Sequence, residues 1–296
     1  MSECHIAVVD DEGILEAGAS TAVVPWWSFT KTLIAVAVLR LEERGEVALD
    51  APLDGYPFTT RQLLQHRAGV GNYGGLRAYH DAVARGDTPW SRDELLARVP
   101  PEDLRYPPGE GWAYSNVGYL LLRQLVEQRC DAGLHAVLQA LVLEPLGLSQ
   151  ARLAETVADM DGSAFAGNHG YDPGWVYHGC VIGPASEAAL ALHRILTGDL
   201  LSPASRTALL DRHPIGGPLP GRPWRTTGYG LGLMMGDVLC DGMTAPRRLA
   251  GHSAAGPGSV GAVYHAAERQ RTAAVFTADP QEYRAEFLAV QRLFLV

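Results

Sequence analysis

The sequence predicts an α+β fold: an antiparallel sheet assembled from both ends of the chain, flanked by helices and interrupted by a mostly helical insertion. Three observations predict it. Residues 5–9 (HIAVV) and 14–18 (ILEAG) flank the turn-forming DDEG and form a β-hairpin at the start of the chain. Short β-like runs crowd the stretch beyond Pro220. Between them, from about residue 59 to 210, helical periodicity dominates. This texture gives a discontinuous sheet domain at 1–55 and 222–296 and a helical domain at 56–221, with the active site expected at their interface, where ligand sites tend to lie.

Each element has its own signal. After Val23, Val24 and Pro25, the apolar residues Leu33, Ile34, Ala37, Val38 and Leu41 recur at helical spacing, with Ser28 able to cap and Gly45 placed to stop, so a largely buried helix is expected. The segments TTRQLLQH, SRDELLARV, NVGYLLLRQLVEQ, AVLQALVLEPL, SEAALALHRIL and SPASRTALL carry helical patterns between Gly- and Pro-rich loops. GYGLGLMM, RRLAGHSA, SVGAVYHA and TAAVFTA then read as strands, and EYRAEFLAVQRLFL as a closing helix. No internal repeat and no low-complexity tract is present.

Composition bounds the function. The chain of 296 residues, 47% hydrophobic and 19% charged, can bury a large core. A formal net charge of -9 without any basic run argues against nucleic acid and anionic membrane as partners, and leaves a small molecule as the expected ligand. The N-terminus MSECHIAVVDDEG lacks the basic and apolar regions of a secretory signal, and no apolar stretch approaches a membrane span. Cys4, Cys130, Cys180 and Cys240 stand far apart with no CxxC pair, which fits free thiols in a reducing cytoplasm, although a mature chain cleaved of its signal would read the same way.

The chemistry centres on Ser28 and Lys31. Residues at i and i+3 share a helical face, so hydroxyl and amine can come within hydrogen-bond reach at the first turn, where free N–H groups and desolvation favour a neutral amine. A helix-capping serine followed by a surface lysine is the bland alternative. The chain, however, carries 23 arginines and a single lysine, and with 12 serines chance places one at that offset about one time in 25. Arginine cannot release its proton in a protein whereas a desolvated lysine can, so a position that needs a switchable base must hold lysine.

Two further segments add to the pair. Tyr114-Ser115-Asn116 is delivered by the Pro/Gly loop of PPGEGWAYSNVGYLLL to the start of a helix; capping by Ser or Asn beside an ordinary buried tyrosine explains it equally well. His252-Ser253-Ala254-Ala255, in LAGHSAAGPGSVGAVYH, places polar residues in a small, apolar strand, as a cleft lining or as a satisfied core histidine. His169, His178 and His193 lack HxxxH-type spacing and a carboxylate set, so no metal site is expected. Trp26, Trp27, Tyr73, Trp112, Trp175 and Tyr229 are candidates for an acyl pocket, with core packing the commoner role. Glycines 69, 71, 74 and 75 mark a loop without the spacing of a phosphate cradle.

In order and context these segments resemble the serine β-lactamase and penicillin-binding-protein superfamily, particularly its class C β-lactamase, D-aminopeptidase and esterase branch. The early hairpin, the SFTK helix, TTRQLLQHRAGVGNY, PPGEGWAYSNVGYLLL, LEPLGL and GYGLGLMMG before the HSA strand all take part. The resemblance implies a β-lactamase-like sheet and a Ser28 acyl-enzyme. Ser28 is then the nucleophile, Lys31 its activating amine and Tyr114 the proton relay. Asn116 orients substrate and lysine, His252 and Ser253 head the third motif, and the N–H groups of Ser28 and Ala255 form the oxyanion hole. It requires neither metal nor cofactor.

Histidine at 252 provides no permanent cation for a β-lactam carboxylate, so a small ester or D-amino-acid amide is the expected substrate. A β-lactamase, a DD-peptidase and a catalytically silent acyl-binding homologue are the alternatives. Two departures from the pattern carry expectations of their own. Ala254 stands where the family usually has glycine, and its methyl group is expected to narrow the cleft or tilt the oxyanion donors, at some cost in activity. The helix that usually precedes the first hairpin is missing, so the closing helix at 281–296 must cover one sheet face alone or with a partner chain, which makes a homodimer possible.

Overall fold

A computed structural model describes residues 3–18 and 21–295. Chain ends meet in one antiparallel sheet of eight strands: β1 (Cys4–Asp10), β2 (Gly13–Ala17), β6 (His213–Gly216), β7 (Thr227–Tyr229), β8 (Met234–Val238), β9 (Arg247–Gly256), β10 (Ser259–Ala266) and β11 (Arg271–Thr277). Their order is β2-β1-β11-β10-β9-β8-β7-β6. β1 lies against β11 with Ala7 opposite Ala274, so the first and last strands pair centrally rather than at an edge. A small sheet of β3 (Val24–Pro25), β4 (Arg152–Leu153) and β5 (Val181–Gly183), in the order β3-β5-β4, lies within the other half. Strands of two or three residues are too short to show a period, and no sequence signal marks them.

The alternating side chains of the large sheet feed two cores. Val8, Ala262, Tyr264, Ala273 and Val275 face the terminal helix Glu282–Phe294, which contributes Ala285, Ala289, Val290 and Leu293. Ala7, Val9, Val263, Ala274 and Phe276 face the opposite way, into the main core with the helices Thr30–Glu43 and Ala185–Thr197. The terminal helix thus covers its face through β1, where Val8 is 4% exposed, and reaches β2, where Arg292 pairs with Glu16 at 3.2 Å; Ile14 and Leu15 of β2 stay 51% and 49% exposed at the sheet edge. The expected bare face is reduced to an edge. The sheet also draws on residues before 222: β6 is its last strand, and the Ala185–Thr197 helix covers part of it. β6 is short and mostly exposed, with a proline and a glycine in four residues, so its pattern does not alternate.

The helix Thr30–Glu43 is buried on every side from Thr30 to Leu39. Its entry differs from the sequence expectation. Ser28 does not cap it; Ser28 lies in a preceding 3-10 turn, Trp27–Phe29, and the cap residue Phe29 makes no side-chain cap bond. Trp27 adopts a left-handed backbone (φ 39°), a strained conformation that persists only when surroundings impose it. Here its indole Nε1 donates to Ser259 Oγ at 2.9 Å, which ties the turn to β10. Gly232, in the β7–β8 turn, has φ +76°, and an added Cβ would stand 2.7 Å from Ala35 Cβ and 3.1 Å from the Lys31 carbonyl oxygen. That glycine lets the turn lie directly on the helix, where Thr32 Oγ1 donates to the Gly232 carbonyl at 2.7 Å.

Other predicted helices appear at Thr60–Leu64, Arg92–Arg98, Asn116–Cys130, Leu134–Leu138 and Pro203–Leu209, and the structure adds Arg77–Arg85 and Val157–Asp161. The four cysteines are all free thiols. Among the described residues no helix is long and apolar enough to cross a membrane.

Candidate active site

A cleft of about 450 Å³ lies between the open end of β9, the β7–β8 hairpin and the loops before the Asn116–Cys130 helix. Its wall includes Ser28, Tyr114, Asn116, His252, Ser253 and Ala255, so six sequence-predicted residues from three separate segments converge there. β8 pairs with β9 only up to Gly251, and the remainder of β9 packs against the Trp27–Phe29 turn. The strand end bearing Ala255 therefore stands beside the turn bearing Ser28.

Ser28 Oγ is hydrogen-bonded to two side chains: to Lys31 Nζ at 3.2 Å and to the Tyr114 hydroxyl, which donates to it, at 3.0 Å. The i to i+3 spacing delivers the first, as the sequence requires. Lys31 is fully buried, and desolvation holds its amine well below the ordinary lysine range. Burial acts oppositely on Tyr114, whose phenol is pushed up, with the hydrogen bond to Ser28 opposing the shift. The two partners are thus both driven toward neutrality: an amine with a free lone pair and a phenol with its proton.

The Tyr114-Ser115-Asn116 segment both caps a helix and borders the cleft. Ser115 caps the helix, its Oγ accepting from Gly118 N at 2.9 Å and donating to the Gly71 carbonyl at 2.6 Å, while its neighbours face the cleft. The Asn116 backbone N–H donates to Asn72 Oδ1 at 3.2 Å, but among the described residues its own Oδ1 is buried without a partner. It makes no hydrogen bond to Lys31.

His252 is buried, and the loss of hydration, followed by the field of Lys31, pushes its imidazole down to about 3. Its Nε2 shares a hydrogen bond of 2.7 Å with the Tyr229 hydroxyl. Ser253 Oγ lies 3.4 Å from Met234 Sδ. Ala254 departs from expectation. It is 0% exposed in the main core and does not border the cleft, so its methyl group fills protein interior rather than substrate space.

Several participants escaped the sequence. His178 Nε2 lies 3.0 Å from Lys31 Nζ, a contact that its place in the sequence does not announce. His66 Nδ1 accepts from Ser115 N at 3.1 Å, with its ring packed among Trp112, Tyr114, Tyr119 and Tyr229, so it sets the loop carrying Tyr114. At the rim, Arg222 pairs with buried Glu286 (2.6 Å) and with Glu282 (3.3 Å). Isolated histidines and arginines carry no periodic signal; a QHR tripeptide beside a predicted helix was the nearest hint. Of the aromatic candidates, Trp112 and Tyr229 line the cleft, while Trp26, Trp27, Tyr73 and Trp175 are at most 3% exposed and pack in the core. Among the described residues no three His, Cys, Asp or Glu side chains converge as metal ligands.

The profile of the family described as Beta-lactamase matches residues 7–294. The chain belongs to the beta-lactamase family. Within it, the chain is 36% identical to Esterase EstB of Burkholderia gladioli over 141 residues, 41% of this chain and 36% of that protein. The matched stretch thus spans about a third of the esterase's length. Among solved structures, the D-stereospecific amidohydrolase from Streptomyces sp. superposes with a TM-score of 0.79 at 20% identity, covering 98% of this chain and 93% of that one. The D-amino acid amidase from Ochrobactrum anthropi SV3 gives 0.80 at 17%, covering 99% and 94%. At those identities the likeness concerns the fold, and it extends over nearly the whole beta-lactamase-family chain.

Proposed function

We propose that the protein is a serine hydrolase that cleaves a small ester or amide through an acyl-enzyme on Ser28. The observation that carries this reading is the double engagement of Ser28 Oγ by Lys31 and Tyr114 at the floor of the cleft. Neutral Lys31 is the base and Tyr114 the relay, because burial favours a free amine and disfavours a phenolate.

In acylation the Ser28 O–H bond breaks, its proton passes to Lys31 Nζ, and Oγ bonds to the carbonyl carbon. The carbonyl electron pair collects on oxygen opposite the N–H groups of Ser28 and Ala255. As the tetrahedral intermediate collapses, the proton moves through Tyr114 to the departing alcohol or amine. Water attacks the ester by the reverse route, giving its proton to the same pair and releasing the acid and Ser28. Asn116 and the His252-Ser253 strand hold the substrate. The scheme needs no metal or cofactor.

Substrates without a carboxylate at the β-lactam position are favoured. His252 is neutral at physiological pH, and Arg222, the cleft-lining arginine, is bonded to Glu286 and Glu282. The similarity to an esterase and the fold shared with D-amino acid amidases support the same classes. The panel that tests this is a p-nitrophenyl ester, a D-amino acid anilide and a chromogenic cephalosporin, each with wild type and Ser28→Ala. Turnover of the ester or anilide, lost in Ser28→Ala, is expected; turnover of the cephalosporin alone would overturn the substrate assignment. A homodimer has for support the exposed Ile14 and Leu15 at the β2 edge.

A further inference from the structure

Lys31 takes part in no salt bridge among the described residues, and its hydrogen-bond partners are Ser28 Oγ and His178 Nε2. Asn116, which the family resemblance assigns to orienting the lysine, leaves its Oδ1 unpaired among the described residues. His178 stands in its place. It comes from the loop entering β5, where Arg123 Nη1 holds the Tyr177 carbonyl at 3.2 Å and Gly179 turns the chain at φ +98°. Its ring is 3% exposed, and among the described residues its Nδ1 has no partner. The groups that face it are Lys31 on the nucleophile helix, Arg123 (held by Glu127 at 2.9 Å), His66 and His252.

We propose that His178 is a positioning residue for acylation: its Nε2 lone pair accepts one N–H of the Lys31 amine and turns the amine's own lone pair toward the hydroxyl of Ser28. This rests on the serine hydrolase reading. A neutral amine has two N–H groups and one lone pair, so an acceptor on the side away from Ser28 selects the productive orientation. When Ser28 gives up its proton, Lys31 becomes an ammonium with no carboxylate to pair it. The hydrogen bond to Nε2 is then charge-assisted and stronger than before, so His178 raises the basicity of Lys31 at the moment it is needed. Two basic groups 3.0 Å apart in a buried site hold a single added proton between them, and a neutral His178 with its proton on Nδ1 receives the N–H.

Because Lys31 is the sole lysine, protein labelled with 13C,15N-lysine carries one side-chain signal, which reports its titration directly. The experiment follows that signal with pH, together with the pH profile of kcat/KM on a p-nitrophenyl ester. Both are measured in wild type, His178→Phe, His178→Gln and Ser28→Ala. His178→Phe removes the acceptor: the Lys31 titration and the acid limb of the profile should both move down by about one unit, and the plateau should fall about tenfold or more. Glutamine, whose amide oxygen reaches where Nε2 stands, should restore both. Should phenylalanine prevent folding, His178→Asn, too short to reach Nζ, takes its place. An unchanged Lys31 titration and acid limb in the acceptor-free variant, or glutamine no better than phenylalanine, overturns the proposal. Failure of the hydrolase reading looks different: Ser28→Ala would equal wild type while the Lys31 signal still moved with His178.

Discussion

The Tyr229 hydroxyl and His252 Nε2 share a hydrogen bond of 2.7 Å in a fully buried setting, which fixes the imidazole at the head of the third motif as a neutral group. Its titration lies at about 3, and that of His265, also depressed mainly by burial, at about 4. A histidine whose folded value is lowered binds protons less readily in the native than in the unfolded chain. Its stabilisation is therefore complete above the unfolded value near 6.5 and is lost as pH falls through the folded one. Urea midpoints should decline between about pH 6.5 and 4, each such histidine accounting for about 1–3 kcal/mol. His265→Gln should flatten the decline; a midpoint independent of pH over that window would contradict the assignment.

Lys31→Met keeps the length of the side chain and removes a buried amine that has no counter-ion among the described residues. Stability should stay within about 1–2 kcal/mol of wild type or rise, while ester turnover falls about 100-fold or more. Lys31→Arg, which cannot deprotonate, should be as inactive and also less stable, because it buries a permanent charge. Thermal melts and kcat/KM on the three proteins separate the two effects.

Removing the Tyr114 hydroxyl deletes one of the two hydrogen bonds to Ser28 Oγ. Tyr114→Phe should lower kcat/KM about 100-fold without disturbing the ring packing against His66, where the centroids are 4.3 Å apart. A variant that retains more than a tenth of wild-type activity on an ester and on an anilide would remove Tyr114 from the proton path.

Ala254→Gly restores the residue usual in the family. Since Ala254 is 0% exposed and does not line the cleft, the change should cost about 1 kcal/mol through lost packing and added chain entropy. It should leave kcat/KM within about twofold. A large gain in activity would show that the methyl group does obstruct the substrate.

What the sequence revealed follows from the length over which each signal runs. The hairpin, the buried Thr30–Glu43 helix and strands β9 to β11 span enough residues for periodicity to speak, and the motif spacing singled out Ser28, Lys31, Tyr114 and the 252–255 strand. Strands β3 to β5 are too short for that. The pairing of β6 with the sheet depends on tertiary contact that its own residues do not advertise. His178 and His66 were illegible for a related reason: they are solitary polar residues in loops, made meaningful by what folds against them from 147 and 49 positions away. Ala254 was legible in strand alternation: with Ser253 and Ala255 at the cleft, the residue between them points the other way, into the main core.

The central claim is a covalent bond at Ser28. Acid-quenched intact-mass and peptide-mapping spectrometry, during turnover of a slowly deacylating p-nitrophenyl ester, should find one acyl group per chain on the peptide containing Ser28 and none in Ser28→Ala. An adduct on another residue, or full turnover in Ser28→Ala without any adduct, would contradict it.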